Sequence, residues 1–240
     1  MPASSRGLHW VVSAATTYDA MGRTTQVTDV LGHTTTTAYT PAAGAPAGSG
    51  ATISVATTNT APFGWTSTTT FDPARGTELS ATDQNGKLTT AAYDALGRRT
   101  SVWLPTRPQS TNPSSPSVGY SYLLSQTSAS AVTTAKITGG GTVTSYSLFD
   151  GLGQPVQTQG PAEGGGTDVT DTAYDSQGRT AFTDNTYWTT SVTPSGSLFV
   201  PTSLSQIASQ TVTTYDGAGQ TVKTTLNSYG TERYHTSFAY

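Results

Sequence analysis

The sequence predicts an all-β fold: an antiparallel meander of short hairpins forming a curved sheet or partial shell, with Pro/Gly-rich loop insertions. Three observations point there. An aromatic-Asp-x-x-Gly turn recurs along the chain. Small, strand-compatible residues, chiefly Thr and Ala, flank each copy. No window carries a convincing 3.6-residue apolar period, so almost no helix is expected.

The first hairpin reads AATTYDAMGRTTQVTD, with Tyr18, Asp19, Gly22 and Arg23 at its turn. An Asp opening a type I turn accepts backbone N–H bonds, and the Gly three positions on takes a positive φ. A type I turn followed by a left-handed residue is the common bulged hairpin loop. A second turn follows about ten residues later, the spacing of a meander. It reads TDVLGHTT, opened by Asp29. Phe71 and Asp72 begin a weaker copy, FDPARGTE, whose second turn, TDQNGKLTT, holds Asp83 and Asn85-Gly86. YDALGRRT places Tyr93, Asp94, Gly97 and Arg98 in the same pattern. FDGLGQPV gives Phe149, Asp150 and Gly153, and YDSQGRTA gives Tyr174, Asp175, Gly178 and Arg179. YDGAGQTV ends the series with Tyr215, Asp216 and Gly219. Gln154 and Gln220 stand where other copies have Arg.

The spacing is that of a repeat protein. Phe71 to Tyr93 is 22 residues, and Phe149 to Tyr174 is 25. The other gaps (53, 56 and 41 residues) are roughly twice that unit, stretched by insertions. Degenerate copies at Tyr39, 21 residues after Tyr18, and at Tyr240, 25 after Tyr215, continue the beat. Pro/Gly/Ser-rich loops are expected at about 40–50, 104–117 and 160–167, with a longer loop carrying one buried rung at 192–204. As insertions, they are expected to project from one rim or face of the sheet. The whole of 1–240 reads as one repeat region with no separate second domain.

Composition narrows the function. The chain has 240 residues, a net charge of -3, 10% charged and 34% hydrophobic residues. A low apolar fraction suggests disorder, but low charge with 12 Tyr, 6 Phe and 4 Trp argues for a thin aromatic core. Eleven Lys plus Arg, unclustered, exclude a nucleic-acid footprint. No window is long and apolar enough for a membrane span, and the N-terminal stretch lacks a signal-peptide core. With no Cys, neither disulfides nor thiolate metal sites are available.

With the repeat laid out, the chain resembles the YD-repeat, or RHS-repeat, family. Four full copies and two aromatic-substituted ones in one register carry the likeness over nearly the whole chain. The resemblance implies strands of a long antiparallel sheet that spirals into a hollow shell. Bacterial members include cocoon-like subunits of insecticidal toxin complexes and polymorphic toxins whose shell encloses a toxic C-terminal domain. Animal teneurins use a similar barrel in cell-surface adhesion. For this chain the resemblance implies a piece of shell wall, secreted or at a cell surface. Its partners would be the remainder of a longer polypeptide or an enclosed cargo. The family's D-P-x-G self-cleavage motif has no counterpart, since Asp72-Pro73 sits in the turn register, so no proteolytic residue is carried over. Such a piece, lacking plug, toxin and polar caps, is expected to aggregate or oligomerise through open edge strands when expressed alone.

The candidate sites have plain structural readings. The repeat tyrosines suit sugar stacking, but their fixed place before a turn favours packing rung upon rung in the sheet core. The turn aspartates are expected to cap turns rather than ligate Ca²⁺, although GGGTDVTD at 164–171 faintly resembles a calcium nonapeptide. Arg23, Arg98 and Arg179 are expected to pair with a neighbouring repeat's Asp. His9, His33 and His235 are scattered without metal spacing, and no G-x-S-x-G elbow occurs. No catalytic residue, metal or cofactor is therefore expected, and the chain is not read as an enzyme. The alternative to a wall segment is a surface module that binds carbohydrate or protein, with loop-borne Trp65, Trp103 and Trp188 as its contacts.

Overall fold

The computed structural model describes residues 13–42, 53–59, 64–139 and 141–240. Among these the chain is all β: seventeen strands and one turn of 3₁₀ helix. They fall into two compact units, residues 1–117 and 118–240. The first holds β1 (Ala14–Tyr18), β2 (Thr24–Asp29), β3 (Thr34–Thr40) and β4 (Ile53–Asn59). It continues with β5 (Thr66–Phe71), β6 (Glu78–Thr82), β7 (Leu88–Tyr93) and β8 (Arg99–Trp103). The second holds β9 (Val118–Leu123), β10 (Ser130–Thr138), β11 (Gly141–Phe149), β12 (Pro155–Pro161) and β13 (Thr167–Tyr174). Then come β14 (Thr180–Thr189), β15 (Gln210–Tyr215), β16 (Thr221–Ser228) and β17 (Thr231–Ser237).

Within each unit every strand pairs antiparallel with its chain neighbour. Among the described residues no ladder returns from a unit's last strand to its first, so neither meander closes into a barrel. The strands form because Thr suits a pleated surface and couples to its cross-strand partner. The hydroxyls of Thr58 and Thr66 meet at 2.8 Å, those of Thr70 and Ser80 at 2.6 Å, and those of Thr170 and Thr186 at 3.0 Å. Among the described residues no helix is long and apolar enough to cross a membrane.

The core is thin. Among the described residues, Trp103 is its buried apolar residue in the first unit, and Ala131, Leu148, Val169, Tyr187 and Ile207 are those of the second. The loop at 104–117 folds back to cover Trp103, whose indole N–H donates to the Asn112 carbonyl at 2.8 Å. Arg107 fastens the same loop by donating to the carbonyl and hydroxyl of Ser115 at 2.8 and 2.6 Å.

Three expected insertions are redrawn. The 160–167 loop contracts to 162–166, because Gly160 and Pro161 pair with Asp168 and Thr167 in the β12–β13 ladder. Three successive glycines at positive φ, Gly164 to Gly166, reverse the chain in little space and let the strands zip up to them. The 192–204 loop is part of a longer connection, 190–209, which contains the 3₁₀ turn at Leu204–Gln206. Instead of projecting, it lies back across the sheet face, placing Ile207 and Phe199 against Val169 and Tyr187. Of the 40–50 stretch, Thr40 ends β3 and residues 43–50 lie outside the described residues, as do His9 and the N-terminal stretch.

Candidate functional site

Each repeat turn is a small hydrogen-bonded clamp. In the turn at Asp19 the Gly22 N–H donates to the Asp19 carbonyl at 3.0 Å, and the Asp19 N–H donates to the Arg23 carbonyl at 2.9 Å. One carboxylate oxygen of Asp19 accepts the N–H groups of Met21 and Arg23, both at 2.9 Å. The other accepts Arg23 Nε at 2.6 Å. The turns at Asp94 and Asp175 repeat this with Arg98 and Arg179, each with an Nε–Oδ2 distance of 2.7 Å. Asp150 and Asp216 cap in the same way, with Gln154 and Gln220 in the Arg position. The glycines take φ between +77° and +86° at Gly22, Gly97, Gly153, Gly178 and Gly219. The Asp72 turn is wider by one residue, with Gly76 N–H reaching Asp72 O at 2.7 Å. At the second turns Asp29 and Asp83 cap likewise, and His33 Nδ1 lies 2.8 Å from Asp29 Oδ2.

The arginines therefore pair with the Asp of their own turn, not a neighbour's. Four residues of separation across a tight turn bring Nε onto the carboxylate. The rest of the guanidinium then reaches the next repeat. Arg23 stacks 4.2 Å over the Tyr39 ring and donates to Ala42 O, and Arg179 stacks 4.3 Å over Tyr215. Gln154 spans the same step by donating to Gly178 O at 3.0 Å.

The repeat tyrosines correct a second expectation. They are not in the core; Tyr93, Tyr174 and Tyr215 are half-buried at the turn end of their strands, and Tyr18 is 62% exposed. Tyr93 OH donates to Glu78 O at 2.7 Å, Tyr174 OH to Pro155 O at 2.9 Å and Tyr215 OH to Thr180 O at 3.0 Å. Each acceptor is the first strand residue after the preceding repeat's turn. Tyr39 and Tyr240, in the degenerate copies, reach Thr24 O and Thr221 O at 3.0 and 3.1 Å. The phenol thus staples one repeat to the last.

The three tryptophans named as ligand contacts have different surroundings. Trp103 is the final residue of β8 and 4% exposed, so its indole is spent on packing. Trp188 lies within β14 and donates to Gly165 O at 2.8 Å, covering the 162–166 turn. Trp65 precedes β5 and is half-exposed. Among the described residues no three His, Asp or Glu side chains gather as a metal site.

Residues outside the repeat motif build a further site. On β12, Gln157 and Gln159 alternate onto one face, and their amides act as surrogate peptide groups for the 190–209 connection. Gln157 accepts from Phe199 N–H at 2.9 Å and donates to Phe199 O at 2.7 Å. Gln159 accepts from Ser195 N–H at 2.9 Å and donates to Ser197 O at 2.7 Å. A cavity of about 510 Å³ remains under this strap. Its apolar walls include Phe182, Leu198, Phe199, Leu204 and Ile207, and its polar groups include Gln157, Gln210, Asp171 and Asp184.

Asp171 and Asp184 are direct cross-strand partners in the β13–β14 ladder. Asp171 accepts from Gln157 and, at 2.7 Å, from Tyr187 OH. Asp184, 2% exposed, accepts from Gln210 at 2.8 Å. Burial raises the Asp184 carboxyl above its ordinary value; the Gln210 bond opposes this, and the Asp171 charge adds to it. Burial, with the bond to and charge of Asp171, likewise raises the Tyr187 phenol. The arrangement suits holding a proton or a cation. The motif gave no hint of it, yet a strand with glutamines at alternate positions is a readable sign of a polar face.

No family model matches the chain, and no curated protein matches it. Among solved structures it is similar to part of the Photorhabdus luminescens Tc holotoxin pore, in a form with a mutation in TccC3. That likeness has a TM-score of 0.37 at 15% identity and covers 88% of this chain. The chain spans 13% of the length of the one it matches.

Proposed function

We propose that this chain is a length of YD-repeat wall, a structural segment of a shell that encloses a partner polypeptide. The observation that carries the reading is the staple between consecutive repeats, from tyrosine hydroxyl to the carbonyl after the preceding turn. A wall of single-sheet thickness has little core to hold it, so cohesion must come from backbone ladders and rung-to-rung contacts. The staples, the Arg23 and Arg179 stacks and the Gln154 bridge supply these at the turn ends. In this reading the role is exclusion, not catalysis: the turn carboxylates are used in holding the turns. The test is to purify the natural polypeptide that carries these residues and image it by electron microscopy. A hollow particle with a protease-resistant polypeptide inside is expected; a solid particle with no enclosed chain would overturn the proposal.

A further inference from the structure

The strapped cavity contains an unbalanced charge. Asp184 is 98% buried by its 2% exposure, and only one of its oxygens has a donor among the described residues, Gln210. Its cross-strand neighbour Asp171 already has both oxygens bonded, to Gln157 and Tyr187. The titratable groups at the site are Asp171 and Asp184, with Tyr187 beside them. The strap, β12 and β15 bring amides and apolar side chains, and no Lys, Arg or His is among the lining residues. Buried carboxylates placed opposite one another are unfavourable unless a proton or a cation balances them. Here Asp184 borders a space of about 510 Å³ with apolar walls, larger than a proton or a bare ion needs.

We infer that this cavity binds an amphipathic monocation, the head-and-stem chemistry of an alkylammonium or alkylguanidinium group such as a lysine or arginine side chain. The cationic head bonds the open oxygen of Asp184 and offsets its repulsion with Asp171. The alkyl stem lies along Phe182, Leu204 and Ile207, as long cationic side chains do on apolar surface. The site belongs to the strapped sheet and holds whether or not the chain serves as a wall.

Calorimetric titration of the full chain with n-hexylammonium chloride tests it. Saturable binding is expected, with n-hexanol weaker by about tenfold or more and Asp184→Asn weakening the amine by a similar factor. Circular dichroism checks that the variant is folded. Should it not fold, wild-type binding is measured instead from neutral pH down to about pH 4, near the ordinary carboxylate pKa, where the amine is expected to be lost. Nα-acetyl-lysine methylamide, run in parallel, separates sources: its binding assigns the site to a polypeptide side chain, and its exclusion while hexylammonium binds assigns it to free amines. Equal binding of hexanol, no saturable amine binding, or displacement of the amine by micromolar Ca²⁺ would overturn the inference.

Discussion

The Tyr215 hydroxyl donates to the main-chain carbonyl of Thr180 at 3.0 Å across 35 residues of sequence. Tyr93 makes the same contact with Glu78 across 15. The difference is the 190–209 strap, which is inserted between β14 and β15 without disturbing the staple. Repeat spacing along the chain is therefore elastic, whereas repeat spacing in space is held by one hydrogen bond and one ring.

Tyr215→Phe is expected to destabilise the chain by about 1 kcal/mol, the net worth of one hydrogen bond. The ring remains under Arg179 in that variant. Tyr215→Leu removes the ring as well and should cost about 0.5–1 kcal/mol more. Urea unfolding of the pair reads both terms; equal losses for Phe and Leu would show that the ring face contributes nothing.

Gly153 and Gly178 separate backbone conformation from close approach. Both have positive φ, +79° and +77°. A Cβ at Gly153 meets nothing within 4 Å, whereas one at Gly178 lies 3.3 Å from the Gln154 amide nitrogen. Each change to Ala costs about 1–2 kcal/mol for the left-handed conformation. Gly178→Ala should cost about 0.5–1.5 kcal/mol beyond Gly153→Ala, because it also strains the Gln154 bridge. Urea midpoints of the two variants make the comparison.

The carboxylates set opposite pH slopes. The Arg98 and Arg179 backbone N–H groups, then their side chains, hold Asp94 and Asp175 below the ordinary carboxylate value of 3.8, so their stabilisation is present above that value and lost as pH falls through the lowered one. Burial raises Asp184, so its contribution is full below 3.8 and lost as pH rises through the raised value. Asp184→Asn is therefore expected to raise the melting temperature at neutral pH, and Asp94→Asn to flatten the acid limb. Melts by circular dichroism across pH check both; a lower neutral-pH melting temperature for Asp184→Asn would contradict the charge assignment.

The hairpins were legible in the sequence because their chemistry is local. Asp, Gly and Arg within one turn determine that turn, and even the degenerate copies at Tyr39 and Tyr240 make the staple. What each turn does to the next was not legible. Whether Arg179 meets Asp175 or a neighbouring Asp depends on how a guanidinium divides between its own turn and Tyr215. The cavity was further out of reach. Asp171 and Asp184 oppose each other in the register the ladder takes after its bulge between Ala173 and Tyr174, and neither residue type announces that pairing. The strap looked like a projecting loop because its Pro, Ser and Gly content describes its backbone, not the glutamines of another strand that hold it down.

Those glutamines give the last prediction. Gln157 is 3% exposed and bonds both polar groups of Phe199, so its amide holds the strap as a neighbouring strand would. Gln157→Met keeps nearly the same length and volume but leaves the Phe199 N–H and C=O and one oxygen of Asp171 without their partner. Stranded buried groups cost about 1–3 kcal/mol each unless the segment moves away to find water. Lifting 190–209 is the cheaper course, since β12 to β14 keep their ladders without it. The variant should therefore show new protease cleavage within 190–209 and at least about tenfold faster amide exchange at Phe199, with little change in the strands. Gln154→Met, which breaks a turn bridge and leaves the strap untouched, is the control. Uniform loss of protection across β12 to β14 in Gln157→Met would show that strap and sheet unfold as one unit.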